Sequence, residues 1–165
     1  MIELLIFLTE NSSTFNGVKA ESDEIEILKK SIPNLEVLDC WVELIMKFKL
    51  IGIEIELDDL TDQSGIGGEL QIMTLTETVE ESTKFYPGII AINKGYIPIG
   101  KCLEGSGDPY FLNFASGVMS VFRIPHDCLN SKDEFNTEVV EYINSLESTL
   151  NYHSPFRCFH WIRSY

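Results

Sequence analysis

Apolar residues along the chain recur with two periods, and the change from one to the other falls at Gly52. Before it the period is helical. In residues 23–30, Ile25 and Leu28 share one side, and the acids come early, where the helix dipole favours them. Ser31-Ile32-Pro33 breaks that run, and Pro33 suits the start of a second helix. Leu35, Leu38, Val42 and Ile45, flanked by Trp41, Leu44 and Phe48, then repeat every three to four residues. They predict an amphipathic helix ending near Phe48. Residues 1–8 are apolar enough for either a helix or a strand, and residues 11–16 (NSSTFN) end them.

After Gly52 the period is two. Ile53, Ile55 and Leu57 alternate with Glu54, Glu56 and Asp58, the pattern of a half-buried strand with carboxylates on its wet face. A glycine loop at 65–68 leads to a second strand over 69–73. Thr74 and Glu77 fit a capping box, predicting a short helix to about Lys84 that Tyr86-Pro87-Gly88 ends. Residues 89–92 read as a buried strand, with a turn at 93–95. Three apolar runs follow, at 97–101, 110–114 and 118–124, joined by EGSGDP and ASG. Gly and Asp at such junctions are turn chemistry, so the stretch reads as an antiparallel meander. Ser131 and Glu134 fit a second capping box. Phe135, Val139, Tyr142, Ile143, Leu146 and Leu150 then mark a long C-terminal helix. The order predicts an α+β fold: one domain, with a mostly antiparallel twisted sheet of about six strands flanked by helices.

The length of 165 residues suits one domain. An apolar fraction of 44% is that of a globular chain. No run approaches the roughly 18 apolar residues of a membrane span, and the first ten residues lack the basic region of a secretory signal. Cys40, Cys102, Cys128 and Cys158 are scattered, with no CxxC pair. They read as reduced thiols of a cytoplasmic protein. The net charge of −14 is concentrated. Between Glu21 and Ser82 sixteen acids face four bases, which accounts for −12 of it. Such a field disfavours nucleic acid and anionic membranes and favours a basic protein partner.

The residues in these elements resemble the SUKH superfamily, which includes a yeast regulator of cell-wall glucan synthesis and many bacterial immunity proteins. Ile32-Pro33 stands at the start of the second helix, Pro87-Gly88-Ile89-Ile90 is similar to the family's "pgi" strand, and Ile97-Pro98-Ile99-Gly100 to its "ipIG" strand. Gly107-Asp108 with Tyr110-Phe111-Leu112-Asn113 resembles "Gd-yfld", and residues 122–127 (FRIPHD) resemble the closing strand. The match covers about residues 23–150. Where the family carries an Asn-Gly-Gly turn after the second helix, only Gly52 remains. The resemblance implies a SUKH-like fold and binding of a protein, in bacteria a cognate toxin, often a nuclease. A nuclease grips phosphates with basic surface, so an acidic inhibitor is its electrostatic complement. The alternatives are a regulatory scaffold of the glucan-synthesis type and a small hydrolase.

The candidate partner-binding residues are Glu54, Glu56, Asp58, Asp59 and Asp62, with Glu69 on the following strand and Asp108 in the Gly-Asp turn. A row of charge also protects a sheet edge from aggregation, and that is its competing reading. For Asp108 the competing reading, which we favour, is an Asp satisfying backbone N–H groups within its own turn. The loop SGIGG at 64–68 lacks the spacing and the Lys of a phosphate loop. His126 and Asp127, as neighbours on an extended strand, point to opposite faces and form no dyad. Cys158, His160 and His153 have no second pair at zinc-finger spacing, and no Ser lies in a nucleophile elbow. We therefore expect no catalytic residue, metal or cofactor. The aromatic tail at 151–165, with Tyr152, Phe156, Phe159, Trp161 and Tyr165, reads as a segment docked on its own core rather than an interface anchor.

Overall fold

A computed structural model describes residues 2–57, 68–103, 106–115, 117–131 and 134–145. The ambiguous start is a helix, α1 (Ile2–Glu10). Helices α2 (Ser22–Ser31) and α3 (Glu36–Lys47) follow where the apolar spacing places them. Helix α2 is closed at its N-terminus by a capping box between Glu21 and Glu24, and it buries Ile25 and Leu28. Helix α3 buries Val37, Leu38, Trp41, Val42, Leu44 and Ile45. Helix ends leave backbone N–H groups without partners, and carboxylates at α2 supply acceptors for them.

Strands β1 (Glu54–Leu57) and β2 (Gly68–Ile72) pair antiparallel. Ile53 and Ile55 are buried while Glu54 and Glu56 are exposed, as the alternation requires. Thr74 and Glu77 form the expected reciprocal cap of α4 (Leu75–Lys84): Glu77 N–H donates to Thr74 Oγ1 at 3.2 Å and Thr74 N–H to the Glu77 carboxylate at 2.8 Å. The meander is β3 (Ile97–Cys102), β4 (Pro109–Ala115) and β5 (Val118–Arg123), antiparallel throughout.

Two predicted elements differ. Residues 89–92 are no strand: α5 (Gly88–Ala91) and a 3₁₀ turn over Ile92–Lys94 occupy them. Isoleucines favour strands only where a pleated neighbour exists to pack on. Here the partner is α4. A Cβ on Gly88 would lie 2.1 Å from the Glu81 carbonyl oxygen, so the glycine lets the two backbones close up. The helical turn is held by amide donation from Ala91 to Pro87 and from Ile89 to Phe85.

The long C-terminal helix is also replaced, within the described residues, by strands. Ser131 and Glu134 are cross-strand partners of a small hairpin, β6 (Leu129–Ser131) and β7 (Glu134–Phe135). After a 3₁₀ turn at Thr137–Val139, β8 (Glu141–Ser145) pairs antiparallel with β5. Tyr142 and Ile143 fit a helical count, but the open edge of β5 offers this segment a hydrogen-bond ladder, with one register shift between Val121 and Phe122. Leu146, Leu150 and the aromatic tail lie outside the described residues. The main sheet has the order β1-β2-β3-β4-β5-β8, an α+β arrangement of six antiparallel strands with helices against it. No described helix is long and apolar enough to cross a membrane.

One large core joins α1–α3 to the sheet through Tyr110, Leu112, Val121 and Ile143. A second, small core of Ala91, Phe111, Ile124 and Cys128 carries Tyr96, Phe135, Val139 and Val140 against it. Alternate residues of β4 therefore serve different cores, as the two-residue repeat of a strand demands. The Gly88→Ala substitution forces α4 and α5 apart, and we expect a loss of about 1–3 kcal/mol. Urea denaturation followed by circular dichroism measures it, and an unchanged midpoint would show that the two helices do not meet as described.

Candidate functional site

Two surfaces carry the predicted residues, and the sheet holds them apart. The first is the solvated face of β1 and β2. Glu54 stands opposite Gln71, and Glu56 stands directly opposite Glu69. Residues two apart on a strand share a face about 7 Å from one another. Glu54, Glu56 and Glu69 therefore lie together on one side of the β1–β2 ribbon. Gln71 donates to Glu54 at 3.3 Å. Asp58, Asp59 and Asp62 lie outside the described residues, as does most of the glycine loop. Beside the row, Lys101 reaches Glu77 at 2.6 Å. Burial works against the Glu77 charge, but the Lys101 and Thr74 hydrogen bonds outweigh it and hold the carboxyl below its ordinary range.

Asp108 is absent from that surface. It precedes β4, three strands from β1 in the sheet order, and its carboxylate reaches beyond its own turn. It is buried, and its Oδ1 accepts from the backbone N–H of His126 at 3.2 Å. The same oxygen lies 2.9 Å from His126 Nδ1. Residues 126–128 form a 3₁₀ turn rather than extended strand, which turns His126 back toward β4. Asp108 thus satisfies a backbone N–H group, but one eighteen residues away. Its own amide donates to Ser106 Oγ at 3.2 Å.

An open cleft of about 650 Å³ surrounds this pair. Its wall is built where β4 begins, β5 ends and β8 begins: Ser106, Asp108, Arg123, Pro125, His126, Asp127, Glu138, Val139 and Glu141. Arg123 Nε donates to Glu141 at 2.5 Å, and both side chains are mostly covered. Burial disfavours the Arg123 charge, but Glu141 more than offsets it and raises the guanidinium above its usual value. Asp127, by contrast, is exposed and joins no described hydrogen bond.

The chemistry available in the cleft follows from these bonds. A carboxylate on Nδ1 fixes the imidazole orientation and leaves Nε2 as the ring's remaining polar atom. That is the arrangement of an oriented base, and sequence spacing gave no hint of it. Ser106 Oγ accepts from the Asp108 amide, and no described hydrogen bond joins it to the ring. Cys128, beneath the turn, is wholly buried, and burial pushes its thiol up to about 11, far from a reactive thiolate. Among the described residues no group of three His, Cys, Asp or Glu side chains is placed to hold a metal ion.

No family model, curated protein or solved structure matches this chain.

Glu81 connects the cleft to the helical layer. Its Oε1 is buried without a hydrogen-bond partner. Burial pushes the carboxyl up, while the Gly88 N–H and the nearby His126 pull it down, with burial prevailing. The folded chain holds this proton more tightly than the unfolded chain. Stability contributed by the neutral carboxyl is therefore present below the ordinary carboxylate range, about pH 4. It is lost as pH rises through the folded value. Glu81→Gln removes the charge and keeps an acceptor for Gly88. We expect a higher melting temperature than the parent at pH 7 and a gap that narrows toward pH 4. Thermal melts across that range measure it, and a constant gap would contradict the assignment.

Proposed function

We propose that the protein acts by stoichiometric binding of a basic protein partner, in the manner of an immunity protein that neutralises a nuclease-type toxin. The observation that supports this reading is the register of β1 and β2, which gathers Glu54, Glu56 and Glu69 on one solvated face. Like charges directly opposite on adjacent strands weaken a sheet. Glu56 and Glu69 stand in that relation, so the ribbon concentrates negative potential that a cationic surface would neutralise. The field extends through the exposed acids of α2 and α3: Glu21, Asp23, Glu26, Glu36, Asp39 and Glu43. Two of these are partly offset by lysines, Lys30 with Glu26 and Lys29 with Asp39. Such a surface steers a basic partner into encounter and then occludes whatever surface that partner uses to grip phosphate.

The resemblance to SUKH immunity proteins supplies the toxin half of the reading, and the regulatory-scaffold alternative shares the same binding chemistry. What separates them is the partner. Co-expression with the protein encoded by the adjacent gene should yield a one-to-one complex if that protein is the toxin. The triple variant Glu54→Lys, Glu56→Lys, Glu69→Lys should then associate at least tenfold more slowly at low salt and lose most of its salt dependence, as stopped-flow mixing reads. An association rate indifferent to the three reversals would remove the acidic ribbon from the mechanism.

A further inference from the structure

The geometry points to a second recognition site, in the cleft around His126, that takes a guanidinium group. It is independent of the acidic ribbon. Strand β5 lies four interstrand steps from β1, about 19 Å across the sheet. The cleft volume of about 650 Å³ lies within the range of small-ligand sites. Most such sites are apolar, and this one is lined chiefly by polar side chains, so its occupant has to be polar.

The polarity has a direction. Three donors of the wall are engaged within it: Arg123 Nε with Glu141, and both the backbone N–H and Nδ1 of His126 with Asp108. The acceptors that face solvent come from carboxylates. Asp127 and Glu138 are exposed, and an ionised carboxylate only accepts. Four carboxylates line the cleft against one guanidinium, which Glu141 already neutralises. A donor-rich cation answers this wall, and an anion is repelled by it.

Shape selects among cations. Asp127 and Glu138 stand on two different 3₁₀ turns, and those turns pack against each other. Two acceptors on separate supports suit a planar fork of N–H donors better than a compact ammonium. Pro125 and Val139 add apolar surface within the same wall for the stem that carries the fork. The oriented imidazole adds a flat face on which a guanidinium stacks. An arginine side chain projecting from a protein partner meets all three conditions.

The probe is Nα-acetylarginine amide, titrated into the full chain and followed by two-dimensional NMR. Nα-Acetylcitrulline amide is the neutral isostere, and Nα-acetyllysine amide carries the ammonium. We expect saturable shifts at the His126 ring and at the amides of Ser106, Asp127 and Glu138 with the arginine probe, and none with citrulline. Asp127→Asn with Glu138→Gln alters exposed side chains only, and should weaken the arginine probe at least tenfold. Its unchanged spectrum elsewhere will report an intact fold. Equal shifts with citrulline, equal binding by the lysine probe, or undiminished affinity in the double variant would each overturn the proposal. The triple lysine variant of the β1–β2 ribbon should leave these cleft shifts intact. Their loss in that variant would assign them to the ribbon and overturn the second site.

Discussion

Strand β4 is buried on both faces, and the rest of the structure is arranged around that requirement. Tyr110, Phe111 and Leu112 have no exposed surface. A strand alternates its side chains, so consecutive buried residues need cover on two sides. Helices α1, α2 and α3 meet Tyr110 and Leu112 in the main core. Helix α5 and the segment from the β6–β7 hairpin to Val140 meet Phe111 in the smaller one. The backbone of β4 is hydrogen-bonded on both edges as well, to β3 and to β5. Every layer of the fold therefore touches this strand or the strands beside it.

The two candidate surfaces inherit their character from different parts of that sheet. At the β1 edge one face is left to solvent, and there the sequence can afford carboxylates at alternate positions. Where β4 begins and β5 ends, the sheet is closed by β8 and the 3₁₀ turns, and charged groups are drawn into mutual contact. Asp108 ties the turn after β5 back to the start of β4, and Arg123 ties the end of β5 to β8. The ribbon is thus a broad field suited to steering. The cleft is a small set of oriented groups suited to recognising one side chain. In the binding function we propose, the first would serve the rate of encounter and the second its register.

Some of this was legible from residue order. The β1 carboxylates were placed on a wet face by alternation alone, and Glu69 joined them once β1 and β2 paired. The Thr74–Glu77 cap was legible because a capping box is a contact within four residues. The Asp108–His126 contact was not. Reading residues 122–127 as continuous strand sent His126 and Asp127 to opposite faces and hid the turn that brings the ring to Asp108. The only available signal was Pro125, which cannot donate to a ladder and so marks the end of β5.

What the sequence determined by itself was every element whose signal is local: α2 and α3 from apolar spacing, β1 from alternation, α4 from its cap, and the β3–β4–β5 meander from glycine turns. Local signals suffice there because the interactions that define these elements link near neighbours in the chain. Tertiary structure decided the rest. Residues 88–91 became helical because a bare glycine could abut α4. Residues 129–145 became strands because Leu129 faced Phe135 across a hairpin and β5 had an unpaired edge. A periodicity that fits both helix and strand is resolved only by what lies opposite it. For these segments the deciding partner is a backbone elsewhere in the fold, and residue order alone does not name it.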